Sequence, residues 1–170
     1  TILFYGRENG KTFTVNFLSK TPLEVKNLKV YTVSKAEAAK MQDQFYAALP
    51  KLAYGAPAAR WKHIPNSVKA LEDGKPLRIV MLGDSIINDT FNSNYGALLD
   101  RMYPDANFKI ICSVRGSTGC WHYRKDKEFK AYVEDLKPDL LMIGGISQRN
   151  DLDAIREVIR KTRKKLPDCE

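Results

Sequence analysis

Three short segments of the sequence combine glycine with hydroxyl or amide side chains. They read "GDSIINDT" at 83–90, "RGSTGCWHY" at 115–123 and "GGISQRND" at 144–151. A serine hydroxyl becomes a nucleophile for acyl transfer once a base takes its proton, and glycine allows main-chain N–H groups to face a ligand. If the three segments lie together, their residue types suit attack on a carbonyl group and stabilisation of the resulting negative charge.

Each segment follows or ends an apolar run that is typical of a strand buried on both faces: "LRIVML", "FKIICSV" and "DLLMIGG". Apolar residues at helical spacing come after each strand: Tyr95, Leu98, Leu99 and Met102; Phe129, Tyr132, Val133 and Leu136; Leu152, Ile155, Val158 and Ile159. This alternation predicts an α/β fold, a three-layer parallel sheet with helices on both faces. Ligands sit at the carboxyl ends of the strands in such sheets, so the three segments should meet at one edge.

The first third of the chain has a different pattern. "KTFTVNFL" alternates as a half-buried strand does, "LEVKNLKVYTV" is a less regular second strand, and Asn9-Gly10 indicates a hairpin. Ser34 and Glu37 form a capping box that predicts a helix over 35–49, and the proline-rich residues 50–66 are interpreted as a linker. We therefore divide the chain into a short β-rich segment with helix and linker, 1–65, the possible end of an accessory domain, and an α/β domain, 66–170.

The three segments resemble the motifs of the SGNH, or GDSL-type, esterases. Gly83-Asp84-Ser85 matches the first motif, directly after the first strand, and "VRGSTG" places Gly119 at the glycine of the second. The third motif, G-x-N-D, is matched in part, since Ile146 occupies the position of the asparagine. The fourth motif, Asp-x-x-His, has no counterpart in the 170 residues. The resemblance covers about residues 77–165 and implies a flavodoxin-like hydrolase fold.

The resemblance also implies roles. Ser85 would be the nucleophile, and the backbone amides of Ser85 and Gly119 would form the oxyanion hole. Four further residues are candidate oxyanion or substrate contacts: Gln148, Asp84, Asn88 and His122. Gln148 would replace the missing asparagine if its loop turned inward, whereas Asp84 also suits a hydrogen-bond acceptor that braces its loop. The implied reaction is hydrolysis of a small ester, an acetyl group on a carbohydrate, by a serine esterase.

The general base is missing from this pattern. A serine triad needs a histidine within hydrogen-bond reach of the serine, and the chain contains only His63 and His122. His63 lies in the predicted linker, where a surface or packing role is expected. His122 follows Gly119 by three positions and is a candidate substitute base, or a structural residue. Because three strands make a narrow sheet, we expect the domain to be incomplete at its C-terminus, with the Asp-x-x-His segment beyond Glu170.

Composition and charge limit the classes of protein to which this chain can belong. Hydrophobic residues make up 44% and charged residues 28% of the chain, as in globular proteins, and no apolar run is long enough to span a membrane. The net charge of +8 comes mostly from scattered lysines, and "RKTRKK" at 160–165 is interpreted as a helix end, so no nucleic-acid partner is expected. The three cysteines give no closed disulfide framework, and no metal or organic cofactor is implied.

Two interpretations of the function therefore stay open. Gly-Asp-Ser also occurs in ordinary turns, and Trp121 and Tyr123 could either stack on a sugar ring or form a partly buried aromatic pair. The first interpretation is an esterase acting on a small-molecule or carbohydrate ester. The second is a non-catalytic carbohydrate- or ligand-binding relative that kept the fold. A periplasmic or secreted location is suggested by the resemblance alone, and the oligomeric state is not predicted.

Overall fold

A computed structural model describes Glu24, Lys26, residues 33–48 and residues 59–170. Contacts between Cα atoms divide the chain into two compact units, Thr1–Tyr54 and Gly55–Glu170. The strands and hairpin predicted within 1–33, and residues 50–58 of the predicted linker, lie outside the described residues. No helix in the described part of the chain has both the length and the apolar character needed to cross a membrane.

Helix α1, Lys35–Ala48, belongs to the first unit and begins as its capping box predicts. The main-chain N–H of Glu37 donates to Oγ of Ser34 over 3.2 Å, and the N–H of Ser34 donates to the Glu37 carboxylate over 2.9 Å. These reciprocal bonds satisfy N–H groups that a helix start leaves without partners. Hydrogen bonds from the Ser34 main chain and hydroxyl also lower the pKa of Glu37. The prediction of a helix over 35–49 is confirmed to within one residue.

The second unit is built on three parallel strands: β1 (Pro76–Gly83), β2 (Asn107–Val114) and β3 (Leu140–Ile143). Their order is β2-β1-β3, with Ile79 opposite both Ile110 and Leu140. The central strand β1 is buried along almost its whole length, and Val80, Met81 and Leu82 have no exposed surface. The predicted parallel sheet is therefore confirmed, and its most apolar run occupies the strand that has neighbours on both sides.

Helices surround this sheet. They are α2 (Pro65–Glu72), α3 (Ser85–Phe91), α4 (Tyr95–Met102), α5 (Cys120–Tyr123), α6 (Asp126–Tyr132) and α7 (Leu152–Lys165), with short 3-10 turns at Glu134–Leu136 and Ile146–Gln148. Helix α7 begins after Asp151, whose carboxylate caps it by accepting from the N–H of Ala154 over 3.0 Å. Its last turn holds Arg163, Lys164 and Lys165, where cations favour the helix dipole.

Two expectations are corrected. Segment 83–90 was predicted to be a loop, but it is helical from Ser85 onwards because the Asp84 side chain accepts from the N–H of Ile86 and caps α3. The helix predicted through Leu136 ends earlier, at Tyr132, and a 3-10 turn follows that closes on Lys137 in a left-handed conformation. In the first place a side-chain cap starts a helix, and in the second a 3-10 turn ends a helix before its apolar spacing does.

The two faces of the sheet carry separate apolar clusters. Ile79 and Met81 of β1 pack in one cluster with buried residues of α2 and α3, namely Leu71 and Ile87. Leu82 packs in the other cluster, with Tyr123, Phe129 and Val158 from α5, α6 and α7 among its members. Alternate residues of a strand point to opposite faces, which is why neighbouring positions of β1 belong to different clusters. Burying one such large apolar side chain contributes about 1.5–3 kcal/mol.

The connections that follow β1 and β3 run to opposite faces of the sheet. The chain leaves β1 for α3, which packs on one face, and leaves β3 for α7, which packs on the other. Adjacent strands whose connections diverge in this way open a crevice beyond their carboxyl ends, where α/β proteins bind ligands. In this unit the topology places that position between the end of β1, which is followed by Ser85, and the end of β3, which is followed by residues 144–151.

Candidate active site

The end of strand β1 buries an acid and exposes an alcohol. Asp84 has no exposed surface, whereas the next residue, Ser85, is exposed as the first residue of α3. A serine that served only to pack or to cap would have its side chain enclosed or bonded, and no described residue forms a hydrogen bond with the Ser85 hydroxyl. The alcohol is therefore available at the crevice, on a main chain that its neighbour holds in place.

Asp84 braces this part of the site. Its Oδ1 accepts from the N–H of Ile86 over 3.0 Å, and its Oδ2 accepts from the N–H of Ser147 over 2.6 Å. Burial alone would raise the pKa of the Asp84 carboxyl, but hydrogen bonds from Ser147 and Ile86 outweigh that effect and lower the pKa. Because the carboxylate is enclosed and fully engaged, Asp84 holds the loops together and does not reach a substrate.

Two glycines allow these loops to approach each other. Gly119 lies so close to the third loop that a Cβ atom on it would be 2.5 Å from the carbonyl oxygen of Ser147. Gly145 has φ of +101°, a conformation that residues with side chains rarely adopt, and a Cβ atom there would overlap the Asp84 carboxylate. Gly119 and Gly145 are thus explained by close contact with neighbouring segments of the site, whereas a Cβ atom on Gly116 would have no neighbour within 4 Å.

Gln148 joins the second and third loops through both ends of its amide. Its Oε1 accepts from the N–H of Cys120 over 2.8 Å, and its Nε2 donates to the carbonyl oxygen of Gly144 over 2.8 Å. A main-chain donor on one side and an acceptor on the other determine which atom is oxygen. Gln148 therefore bridges the two loops, and one of its two amide protons is already bonded to Gly144.

Tyr123 connects the ends of β1 and β2. Its hydroxyl donates to the carbonyl oxygen of Gly83 over 2.6 Å and accepts from the N–H of Arg115 over 2.9 Å. The ring has no exposed surface, and burial raises the pKa of the Tyr123 hydroxyl to about 12. The prediction that Tyr123 could stack on a sugar is therefore wrong, because no face of the ring is accessible.

Two main-chain donors at the site have no partner. Among the residues that the structure describes, none accepts a hydrogen bond from the N–H of Ser85 or from that of Gly119. Ser85 lies at the start of a helix, where N–H groups have no intrahelical acceptor. Gly119 caps α5 with an extended backbone. These are the two amides that the resemblance assigns to an oxyanion hole.

His122 is a buried residue of α5 that contacts two charged side chains, Arg115 and Glu128. Its Nε2 is 3.2 Å from Nη1 of Arg115, which can only donate, so Nε2 accepts and the ring is neutral with the proton on Nδ1. Glu128 lies 3.6 Å from the same nitrogen. Burial lowers the pKa of His122, Glu128 opposes this shift, and Arg115 and Lys125 add to it. No hydrogen bond joins His122 to Ser85 in this arrangement.

His63 is exposed in the turn before α2 and lines a groove of about 420 Å³ at the outer edge of β3. The groove is lined mainly by apolar side chains of β3 and α7, among them Leu141, Ile143, Ile155 and Ile159. Glu170 closes one end, since its main chain pairs with Asp139 and Leu141 over 2.9 and 2.8 Å. His63 therefore belongs to the edge of the sheet, and no described contact connects it to Ser85.

The remaining candidates lie around the crevice. Asn88 is exposed on α3, and its Oδ1 accepts from the half-buried Cys112 thiol over 3.7 Å. Trp121 is half-buried, and its Nε1 donates to the carbonyl oxygen of Ser147 over 3.1 Å. The guanidinium of Arg149 lies 5.1 Å above the centre of the Trp121 ring. No group of three potential metal ligands converges anywhere in the described part of the chain.

Sequence reasoning missed Ser147 and the bridging role of Tyr123. Ser147 contributes through its main chain, which bonds to Asp84 and Trp121, and its side chain also lowers the pKa of Asp84 through a hydrogen bond. Tyr123 could have been suspected, because a tyrosine in an apolar environment needs a partner for its hydroxyl. Comparison with family models, curated proteins and solved structures found no match for this chain.

Proposed function

We propose that the second unit is a serine esterase of the SGNH type that hydrolyses an acetyl ester on a carbohydrate. The observation that carries the proposal is the exposed hydroxyl of Ser85 beside a buried, braced Asp84, together with the N–H groups of Ser85 and Gly119, which have no acceptor among the described residues. The strand order β2-β1-β3 also supports it, because flavodoxin-like sheets bind ligands between the first and third strands.

The proposed chemistry is acyl transfer through Ser85. Its Oγ attacks the ester carbonyl carbon, the carbonyl π electrons move to oxygen, and the N–H groups of Ser85 and Gly119 stabilise that oxyanion. Collapse of the intermediate expels the sugar alcohol and leaves an acyl-serine, which water hydrolyses to acetate. Each well-placed donor is worth about 3–4 kcal/mol of transition-state stabilisation. Gln148 retains a second amide proton that could add a third donor.

The proton of Ser85 needs an acceptor during the attack. The resemblance assigns this step to a histidine in an Asp-x-x-His segment, and the sequence contains no such segment. His122 has Nε2 committed to Arg115, and His63 lines the groove beyond β3. The proposal therefore places the nucleophile and the oxyanion donors in the described residues and assigns the base to neither histidine.

The direct test is hydrolysis of p-nitrophenyl acetate by the wild type, by Ser85→Ala and by Ser93→Ala. Ser93 is an exposed serine between α3 and α4 and serves as the matched control. We expect Ser85→Ala to lower kcat/KM at least about a hundredfold and Ser93→Ala to leave it unchanged. A fluorophosphonate probe should add covalently to the wild type and not to Ser85→Ala, as measured by intact mass.

A second candidate function is ligand binding without catalysis. It is favoured by one observation: the polar groups that could assist Ser85 are bonded within the protein, His122 to Arg115 and Gln148 to Cys120 and Gly144. Equal hydrolysis by the wild type and Ser85→Ala, with no covalent labelling of either, would support this function over the esterase.

A further inference from the structure

Arg149 is an exposed residue of the loop after β3, which braces the candidate site through Ser147. It comes two residues after Ser147, whose N–H donates to Asp84 over 2.6 Å, and Asp84 directly precedes Ser85. Its guanidinium lies 5.1 Å above the Trp121 ring, and that ring is itself held by the carbonyl oxygen of Ser147 over 3.1 Å. The segment 147–149 thus contacts Asp84 and the Trp121 ring, and it carries the exposed guanidinium of Arg149.

The charge of Arg149 has no counterion among the residues that the structure describes. Asp84 is enclosed, and the carboxylate of Asp151 caps α7 by accepting from Ala154. Arg115 is the other arginine of the three loops, and it has a carboxylate in its surroundings. The Arg115 guanidinium and the Glu128 carboxylate both contact Nε2 of His122. Among the described residues none forms an ion pair with Arg149, whereas Arg124 and Arg156 of the same unit are paired with Glu157 and Asp153.

The backbone at this position is unusual. Arg149 has φ of +53° and ψ of +27°, and Asn150 has φ of +55°, so two consecutive residues with side chains adopt the left-handed conformation. Such conformations are costly for residues other than glycine, and they cluster at sites where function requires a particular side chain. Glycine would fit position 149 without strain, yet the position holds a long cationic side chain stacked on Trp121.

We infer that Arg149 selects a substrate that carries a carboxylate, such as the acetyl ester of a uronic acid saccharide. A guanidinium offers planar, paired N–H donors that match a carboxylate, and stacking on an aromatic ring keeps its donor edge free. This inference rests on the proposed function, in which Ser85 performs the hydrolysis, and adds the charge of the substrate to it.

The test compares an acetylated methyl uronoside with its carboxamide, which has nearly the same shape but no charge and an NH2 donor in place of one acceptor oxygen. Acetate release should show kcat/KM about tenfold or more higher for the uronoside, and Arg149→Ala should remove most of this preference. Arg149→Lys should retain part of the preference. Arg156→Ala is the matched control, because Arg156 is exposed on α7 and pairs with Asp153. A preference that persists in Arg149→Ala overturns the inference.

Binding separates this inference from the proposed function. Calorimetric titration of Ser85→Ala with both saccharides needs no turnover, and it should show tighter binding of the uronoside that the double variant Ser85→Ala/Arg149→Ala loses. If no protein hydrolyses either ester but this difference in binding is present, the carboxylate site stands and the esterase proposal fails. If hydrolysis depends on Ser85 but neither rate nor binding depends on charge, the esterase proposal stands and the carboxylate site fails.

Discussion

The N–H of Ser147 lies 2.6 Å from Oδ2 of Asp84, across 63 positions of sequence. This bond joins the loop after β3 to the end of β1, and the second carboxylate oxygen caps the helix that begins with Ser85. Since the carboxylate is fully buried, it has no water to replace either partner. The position of the candidate nucleophile therefore depends on a residue that cannot touch a substrate.

Asp84→Asn should destabilise the second unit by about 1–3 kcal/mol, because a buried N–H loses its charged acceptor. The pKa of Asp84 in the folded protein lies below its ordinary value of 3.8. Its contribution to stability is therefore present above about pH 4 and is lost as pH falls through the folded pKa. Urea unfolding of Asp84→Asn at about pH 7 and about pH 3 should show a smaller loss on acidification than the wild type.

The matched control is Asp89→Asn, since Asp89 is exposed on α3. This variant should unfold as the wild type does at both pH values. If the two variants have the same midpoint at neutral pH, Asp84 is not the brace described above.

Gly119→Ala should disrupt the contact between the second and third loops, because its Cβ would be 2.5 Å from the Ser147 oxygen and 3.0 Å from Cα of Gln148. Both are backbone atoms that a rotamer change cannot move. We expect a loss of about 2 kcal/mol or more in the free energy of unfolding. Gly116→Ala is the control, because nothing lies within 4 Å of the added atom. Equal stability of the two variants would show that the loops are farther apart than described.

Tyr123→Phe should leave the carbonyl of Gly83 and the N–H of Arg115 with poorer partners inside the protein. A buried polar group that loses its partner costs about 1–3 kcal/mol. Tyr132→Phe removes the same atom from a residue whose hydroxyl has no hydrogen bond to any described residue, and it should change stability by less than about 0.5 kcal/mol. Thermal unfolding of both variants measures the difference, and a similar Tm would contradict the bridging role.

His122→Gln should reduce the dependence of stability on pH below neutrality. Burial lowers the pKa of His122 below 6.5 in the folded protein, so the unfolded chain takes up a proton first as the pH falls. The wild type should therefore lose stability from about pH 6.5 down to the folded pKa and no further below it. Urea midpoints of His122→Gln across that range should be flatter. His63→Gln, at the exposed histidine, should behave as the wild type does.

The elements of the second unit could be predicted because their signals are local. The apolar run "LRIVML" became the central strand, and Asp151 capped α7 as its position indicated. The capping box at Ser34 and Glu37 likewise set the start of α1. Helix α3 was missed because a cap formed by Asp84 depends on that side chain turning back to Ile86, which "GDSIINDT" does not distinguish from a turn.

The sequence by itself determined that three glycine-containing loops follow three parallel strands, because periodicity and loop composition act over a few residues. Only the tertiary structure decided which polar groups are hydrogen-bonded within the protein and which are exposed. Gln148 bonds to Cys120 across 28 positions and Tyr123 to Gly83 across 40, and no local pattern selects partners at such separations. Burial makes each such bond obligatory, so the folded contacts, and not the residue types, determine that Asp84, Tyr123 and Gln148 are bonded within the protein while Ser85 is exposed.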